Sequence, residues 1–114
     1  LSSKTLAPVS ELSPPWMPLG NPLDIWPAVM KHGMQKVYPP ALKALLEDPA
    51  VDGVLCINVA LNLPDYAFLD VSEALNQVVS GDKPVVVWLY GENSQGIGEK
   101  IEKGGKIIPF PTLE

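Results

Sequence analysis

The 114-residue sequence has one cysteine and one histidine. A single cysteine excludes an intrachain disulfide framework and leaves a reducing compartment, a cytoplasmic setting, as the default. One histidine and one cysteine offer no convincing transition-metal constellation. Basic clusters are also missing. Thirteen acidic residues outnumber eight basic ones, for a formal net charge of −5. That balance argues against a nucleic-acid or anionic-membrane surface. No apolar run approaches the ~20 residues needed to span a bilayer. No signal-peptide pattern opens the chain, and no repeat or low-complexity segment interrupts it. What remains is 46% apolar and 18% charged, a globular composition of a length suited to one domain with one core.

Reading along the chain, residues 1–15 form a linker with a short helix expected over residues 3–12. Ser or Thr caps it, Leu6, Val9 and Leu12 share a face, and Pro14-Pro15 forbid its continuation. "WMPLGNP" reads as a short edge strand, since its prolines leave too few donors for a central one. Residues 24–33 read as loop with some helical turn. A helix follows over residues 34–47, with Val37, Ala41, Leu42, Leu45 and Leu46 on its core face. Pro39-Pro40 require that its regular part start near Tyr38 or that it bend there. Asp48-Pro49 ends it.

"GVLCINV", residues 53–59, is a nearly continuous apolar run, the pattern of a strand covered on both faces. A helix is expected over residues 66–80, with Phe68, Val71, Leu75, Val78 and Val79 lining one side and Gly81 as its stop. "KPVVVWLY" supplies a second buried strand over residues 84–90. A helix over residues 94–103 and the strand "KIIPF" complete the pattern. Strands alternating with helices over short links predict an α/β domain with a parallel sheet and right-handed crossovers. The ending "FPTLE" looks like a helix entrance at Thr112, so an excised domain lacking a final helix is expected.

In an open parallel sheet, ligands collect at the carboxyl ends of the strands. Three segments are expected there: Gly20-Asn21-Pro22-Leu23-Asp24, Asn58-Val59-Ala60-Leu61-Asn62 and Tyr90-Gly91-Glu92-Asn93-Ser94. Helix starts lie beyond the last two, and their free N–H groups suit an anion. The plainer reading is three ordinary surface loops.

The ordered set Asn21-Pro22-Leu23-Asp24, "LLEDPAVDG", "DKPVVV" and "IPFPT" resembles the flavodoxin-like CoA-ligase domain of NDP-forming acyl-CoA synthetases. That family includes ADP-forming acetate–CoA ligases and is related to succinyl-CoA synthetase. The resemblance runs from Leu12 to the end of the chain and rests on the whole set, since no single motif decides it. It implies a small parallel flavodoxin-like sheet flanked by helices. It implies a parent enzyme that converts acyl-CoA, NDP and phosphate to acid, CoA and NTP through a phosphohistidine carried on another domain. CoA, ADP or ATP and Mg belong to that parent, with no cofactor bound by this segment. The expected partners are neighbouring CoA-binding, flavodoxin-like and ATP-grasp domains or subunits. The segment alone is expected to be inactive.

Carried over to this sequence, the resemblance assigns no catalytic residue. It assigns Asn21, Asp24, Asn58, Asn62, Gly91, Asn93 and Ser94 to loops that face the phosphohistidine or another anion. Where the succinyl-CoA synthetase relatives carry a Gly-Gly pair, this chain has Val59-Ala60-Leu61-Asn62. The Cβ atoms there hold an anion further from the backbone. The Asn62 amide can stand in as a donor, and Gly91-Glu92-Asn93 fits the related Gly-x-Asn pattern better. A different class of function also fits: a regulatory or scaffolding domain, such as the CoA-ligase-like arm of an acetyltransferase. The sequence preceding Leu1 separates the two.

The remaining candidates have plainer explanations. Asp24 beside Pro22 suits an Asx turn. His32 reads as a solvent-facing loop residue, and Cys56 as core packing. Glu92 could pair with Asp24 only if the loops bring them together. Trp88 is expected in the core. Trp16 and Trp26, in Pro-rich loop, suggest an edge that packs on a neighbour.

Overall fold

A computed structural model of the protein describes residues 1–78 and 81–110. The expected helix positions Val79 and Ser80, and the helix entrance at Thr112, lie outside the described residues. The apolar run becomes strand β1 (Val54–Val59), followed by β2 (Val85–Tyr90) and β3 (Ile108–Phe110). They form a three-stranded parallel sheet in the order β1-β2-β3. Val54 pairs with Val85, Val59 with Tyr90, and Trp88 with Phe110. The α/β class and the parallel sheet are as the alternation of patterns predicts.

The described residues also form five α-helices: α1 (Ser3–Ser10), α2 (Trp26–His32), α3 (Met34–Glu47), α4 (Ser72–Val78) and α5 (Ser94–Lys103). Helix α3 keeps its expected bounds. Gly33, at φ +89°, breaks the chain before it, and Asp48-Pro49 stops it. Pro39 and Pro40 sit within α3 and cannot donate to the carbonyls of Gln35 and Lys36. Gln35 and Lys36 are solvent-exposed, so water can take those carbonyls. The core face of α3 is Met34, Val37, Tyr38, Ala41 and Leu42; Leu45 and Leu46 are only half-buried.

The expected helix over residues 66–80 is instead two elements. A 3₁₀ helix spans Pro64–Leu69, and α4 begins at Ser72. The break comes from Asp70, whose Oδ1 accepts from the Ser72 backbone N–H (2.9 Å) and hydroxyl. A carboxylate so placed caps a new helix and ends the previous one. Phe68 is therefore 46% exposed, whereas Val71 and Leu75 are buried. The prolines of residues 16–22 deny strand donors, and no strand forms there.

Right-handed crossovers taken in one direction along a sheet put every connecting helix on the same face. Helix α4 packs between α3 and α5, and α5 lies on β2 and β3. Cys56, Asn58, Val85, Val87 and Leu89 point into that layer and are buried. Of the alternate residues, Leu55, Ile57 and Tyr90 are exposed, so among the described residues the apolar strands are packed by helices on one face, not two. Trp88 is accordingly half-buried on the open face.

The motif "LEDPAVDG" is a structural joint. Asp48 Oδ2 accepts from the Thr5 hydroxyl at 2.7 Å, tying α1 to the end of α3. Its Oδ1 accepts from the Ala50 N–H at 2.8 Å, and its backbone carbonyl accepts from Lys83 Nζ at 2.6 Å. The Thr5 and Ala50 hydrogen bonds hold this carboxyl below the usual range. Gly53 completes the joint: a Cβ there would sit 3.0 Å from Pro84 Cγ and 3.2 Å from its carbonyl oxygen.

Candidate functional site

The loops beyond β1 and β2 meet through their backbones. Ala60 N–H donates to the Tyr90 carbonyl at 2.7 Å, and Asn93 N–H donates to the Ala60 carbonyl at 3.0 Å. Gly91 makes this approach possible. It sits at φ +115°, and a Cβ there would fall 2.4 Å from the Ala60 oxygen. The turn then enters α5. Ser94 N–H donates to the Gly91 carbonyl at 3.3 Å, and Ile97 N–H to the Asn93 carbonyl at 3.1 Å. No acceptor among the described residues takes the amides of Gln95 and Gly96. These two donors are the open end of α5. The 3₁₀ start after β1 offers less: Pro64 has no N–H, Tyr66 N–H is bonded to the Leu63 carbonyl, and Asp65 already places an anion in the first turn.

A pocket of about 310 Å³ opens beside these starts. Asn62 and Asn93 line it, with Tyr66, Ile97, Asp70 and Lys100 among the other walls. Lys100 donates to Asp70 Oδ2 at 2.7 Å. Burial pushes the Asp70 carboxyl up, but the hydrogen bonds from Lys100 and Ser72 outweigh it and hold the group below its ordinary range. Lys100 is 58% exposed, so it can turn toward a guest while remaining near Asp70. It is the cation that the sequence reading missed. Its spacing from Asn93 and Ile97 on one helix was the available signal.

A second hollow, of about 320 Å³, runs along the unpaired edge of β1. Asp24, Tyr38, Cys56 and Asn58 supply its polar groups. Asn58 is the fifth residue of β1 and is buried, donating to the Tyr38 hydroxyl at 2.9 Å. Burial pushes the Tyr38 phenol well above its ordinary value, with Cys56 adding to the effect and Asn58 opposing it. Burial likewise raises the Cys56 thiol, which keeps it protonated and unsuited to act as a nucleophile. Asp24 Oδ1 accepts from the Trp26 N–H at 2.9 Å, the Asx turn that opens α2.

The seven candidate residues therefore divide between neighbouring places. Asn62 and Asn93 share the Lys100 pocket, with Gly91 and Ser94 forming the turn that carries Asn93. Asp24 and Asn58 share the hollow along β1. Asn21 is exposed and lines neither. His32 ends α2 and is half-buried, not a loop residue. Trp16 and Trp26 are 72% and 48% exposed.

The acetate–CoA ligase (ADP-forming) II of Archaeoglobus fulgidus is 40% identical to this chain over 74 residues. The match takes in 60% of the chain and 11% of that relative. The chain is similar to a segment of this ligase and spans only a small part of its length. No family model and no solved structure matches the chain. Among the described residues, no group of three or more His, Cys, Asp and Glu could hold a metal ion. No helix among them is long and apolar enough to cross a membrane.

Chemically, the Lys100 pocket combines amide side chains, two open backbone donors nearby and one exposed cation that is paired with the Asp70 carboxylate. That set suits recognition of an anion. The hollow along β1 is mostly apolar, and its polar groups are already bonded to one another or to the backbone.

Proposed function

We propose that the chain is the flavodoxin-like CoA-ligase domain of an NDP-forming acyl-CoA synthetase. Its α5 start and Lys100 pocket help enclose a phosphohistidine carried by another domain. The 40% identity over 74 residues to an ADP-forming acetate–CoA ligase carries this reading. The geometry supports it: Gln95 and Gly96 amides, the Asn62 and Asn93 side chains and Lys100 lie toward one end of the parallel sheet. Oriented donors of this kind stabilise a dianionic phosphoramidate without reorganising when it arrives. The residues of this chain hold and neutralise the anion. The carrier histidine, the CoA site and the nucleotide site belong to other domains, together with Mg.

The 114-residue chain, mixed with acetyl-CoA, ADP and phosphate, is expected to yield no ATP. The longer polypeptide that contains it is expected to form ATP and to trap a phosphorylated histidine outside residues 1–114. Lys100→Gln in that polypeptide is expected to slow formation of the phosphohistidine about 10-fold or more, in keeping with loss of one charged donor at a developing anion. A phosphorylated His32, or unchanged phosphorylation in Lys100→Gln, would overturn the placement of the anion at this pocket.

A further inference from the structure

Lys100 serves a pocket in which one partner is already in place. Its ammonium donates to Asp70 Oδ2 at 2.7 Å, and both residues line the pocket with Asn62 and Asn93. The two ends of this pair are held very differently. The Asp70 backbone N–H donates to the Ala67 carbonyl at 3.1 Å. Its Oδ1 accepts from the Ser72 N–H at 2.9 Å and from the Ser72 hydroxyl. Its side chain is 27% exposed, against 58% for Lys100, whose ammonium has no second partner among the described residues. The backbone of Lys100 is anchored separately. Asn76, on the helix that Asp70 caps, donates its Nδ2 to the Lys100 carbonyl at 3.2 Å. Gly104 leaves room for that amide, since a Cβ there would collide with Asn76 Oδ1. Opening the ion pair therefore moves the lysine side chain alone, and the contact between α4 and α5 survives it.

We propose that Lys100 changes partners when an anion enters, leaving Asp70 for the guest, and that Asp70 is the resident competitor that keeps the guest loosely held. The inference rests on the proposed function and names the residue that regulates release at its site. The physical reason is the tether. A phosphoryl group carried on a linked domain reaches the pocket at a high effective concentration, so little intrinsic affinity is needed to fill it. Affinity beyond that need holds the bound state as firmly as the transition state and slows departure. A carboxylate fixed beside the cation lowers the affinity by a set amount: entry gives up an ion pair, and departure regains it. An exposed pair changes an equilibrium by up to about 5-fold. That is small enough to leave the pocket usable and large enough to measure.

Asp70→Asn removes the charge and keeps the cap, because asparagine caps helices as well as aspartate does. Inorganic phosphate is the probe. It is titrated at constant ionic strength into the isotopically labelled 114-residue chain, and the Gln95 and Gly96 amide resonances are followed by NMR. Phosphate should bind about 5-fold more tightly to Asp70→Asn than to the parent. Asp70→Ser, which also retains a capping oxygen, should show a similar gain. In the Lys100→Gln background the same substitutions should change the affinity by less than about 2-fold, because no cation is released and the remaining repulsion is screened by solvent and salt. Equal gains in the two backgrounds would overturn the exchange and leave direct repulsion as the whole effect. Weaker binding to Asp70→Asn would also overturn it, since Asp70 would then aim Lys100 at the guest. So would the absence of any phosphate-dependent shift at these amides in parent and variants alike. Phosphohistidine formation in the longer polypeptide separates the two proposals. Exchange in the short chain with no phosphohistidine in the longer one removes the functional reading and leaves the exchange in place. Phosphohistidine formation that Lys100→Gln slows, with equal gains from Asp70→Asn, removes the exchange alone.

Discussion

Gly91 is the position where a single methyl group should do most damage. It holds φ +115°, and the added Cβ would lie 2.4 Å from the Ala60 carbonyl oxygen. For a residue other than glycine, that conformation alone costs about 1–3 kcal/mol. Relieving the clash requires the turn to retreat by roughly 1 Å, given ordinary non-bonded contact distances. The retreat lengthens two backbone hydrogen bonds, Ala60 to Tyr90 at 2.7 Å and Asn93 to Ala60 at 3.0 Å. Each contributes about 1 kcal/mol net. Gly91→Ala should therefore destabilise the chain by about 3–5 kcal/mol, a large share of the ~5–15 kcal/mol of a typical domain. In urea unfolding followed by circular dichroism, the midpoint should fall by roughly 2 M, at slopes usual for small proteins. Gly20→Ala is the control. Nothing lies within 4 Å of its added Cβ and its φ is not in the left-handed range, so it should stay within about 1 kcal/mol of the parent. A Gly91→Ala midpoint indistinguishable from that of Gly20→Ala would refute the argument that this turn is held by backbone contact.

Three other perturbations have defined outcomes. Tyr38→Phe leaves the buried Asn58 amide without its 2.9 Å acceptor, and chemical denaturation should show a loss of about 1–3 kcal/mol. The Tyr38 phenol has a folded pKa raised above 10.0, so its contribution is complete below pH 10 and is lost as pH rises beyond it; Tyr38→Phe should flatten that alkaline decline in thermal melts. The Asp70 pKa is depressed below 3.8, so the Lys100 pair stabilises above that pH and its contribution disappears as pH falls through the folded value. Lys100→Gln should cost no more than about 1 kcal/mol at pH 7, because both partners are partly exposed, and progressively less as pH falls below 3.8; a loss that does not shrink on acidification would show that the pair is not its source.

Punctuation in the sequence explains which parts of the fold were legible. Helix α3 ends where it was expected because Gly33 and Asp48-Pro49 act through backbone geometry, which needs no tertiary context. The parallel sheet was readable from β1 and β2 because short apolar runs alternated with helical ones. The split before α4 was also written locally, as Asp70-x-x-Glu73, but the stronger hydrophobic period of Val71, Leu75 and Val78 masked it. Burial on one face could not be read. An apolar run records that a strand is covered, not which polypeptide covers it. For the site, loop positions such as Asn62 and Asn93 were expected from the rule that ligands gather at strand ends, and both line one pocket. Asn58 was assigned to the same loops, yet the pleat turns it toward Tyr38. Lys100 escaped notice because it approaches the pocket from two turns inside a helix.

The joint at Asp48 bears on how kinship should be judged from these letters. Its carboxylate and carbonyl connect residues 43 and 35 positions away in the chain. The stretch "LEDPAVDG" thus holds corners of the architecture together, and so does the lysine of "DKPVVV". A distant sequence that shares both phrases can be expected to share the shape, whether or not it has kept any reaction.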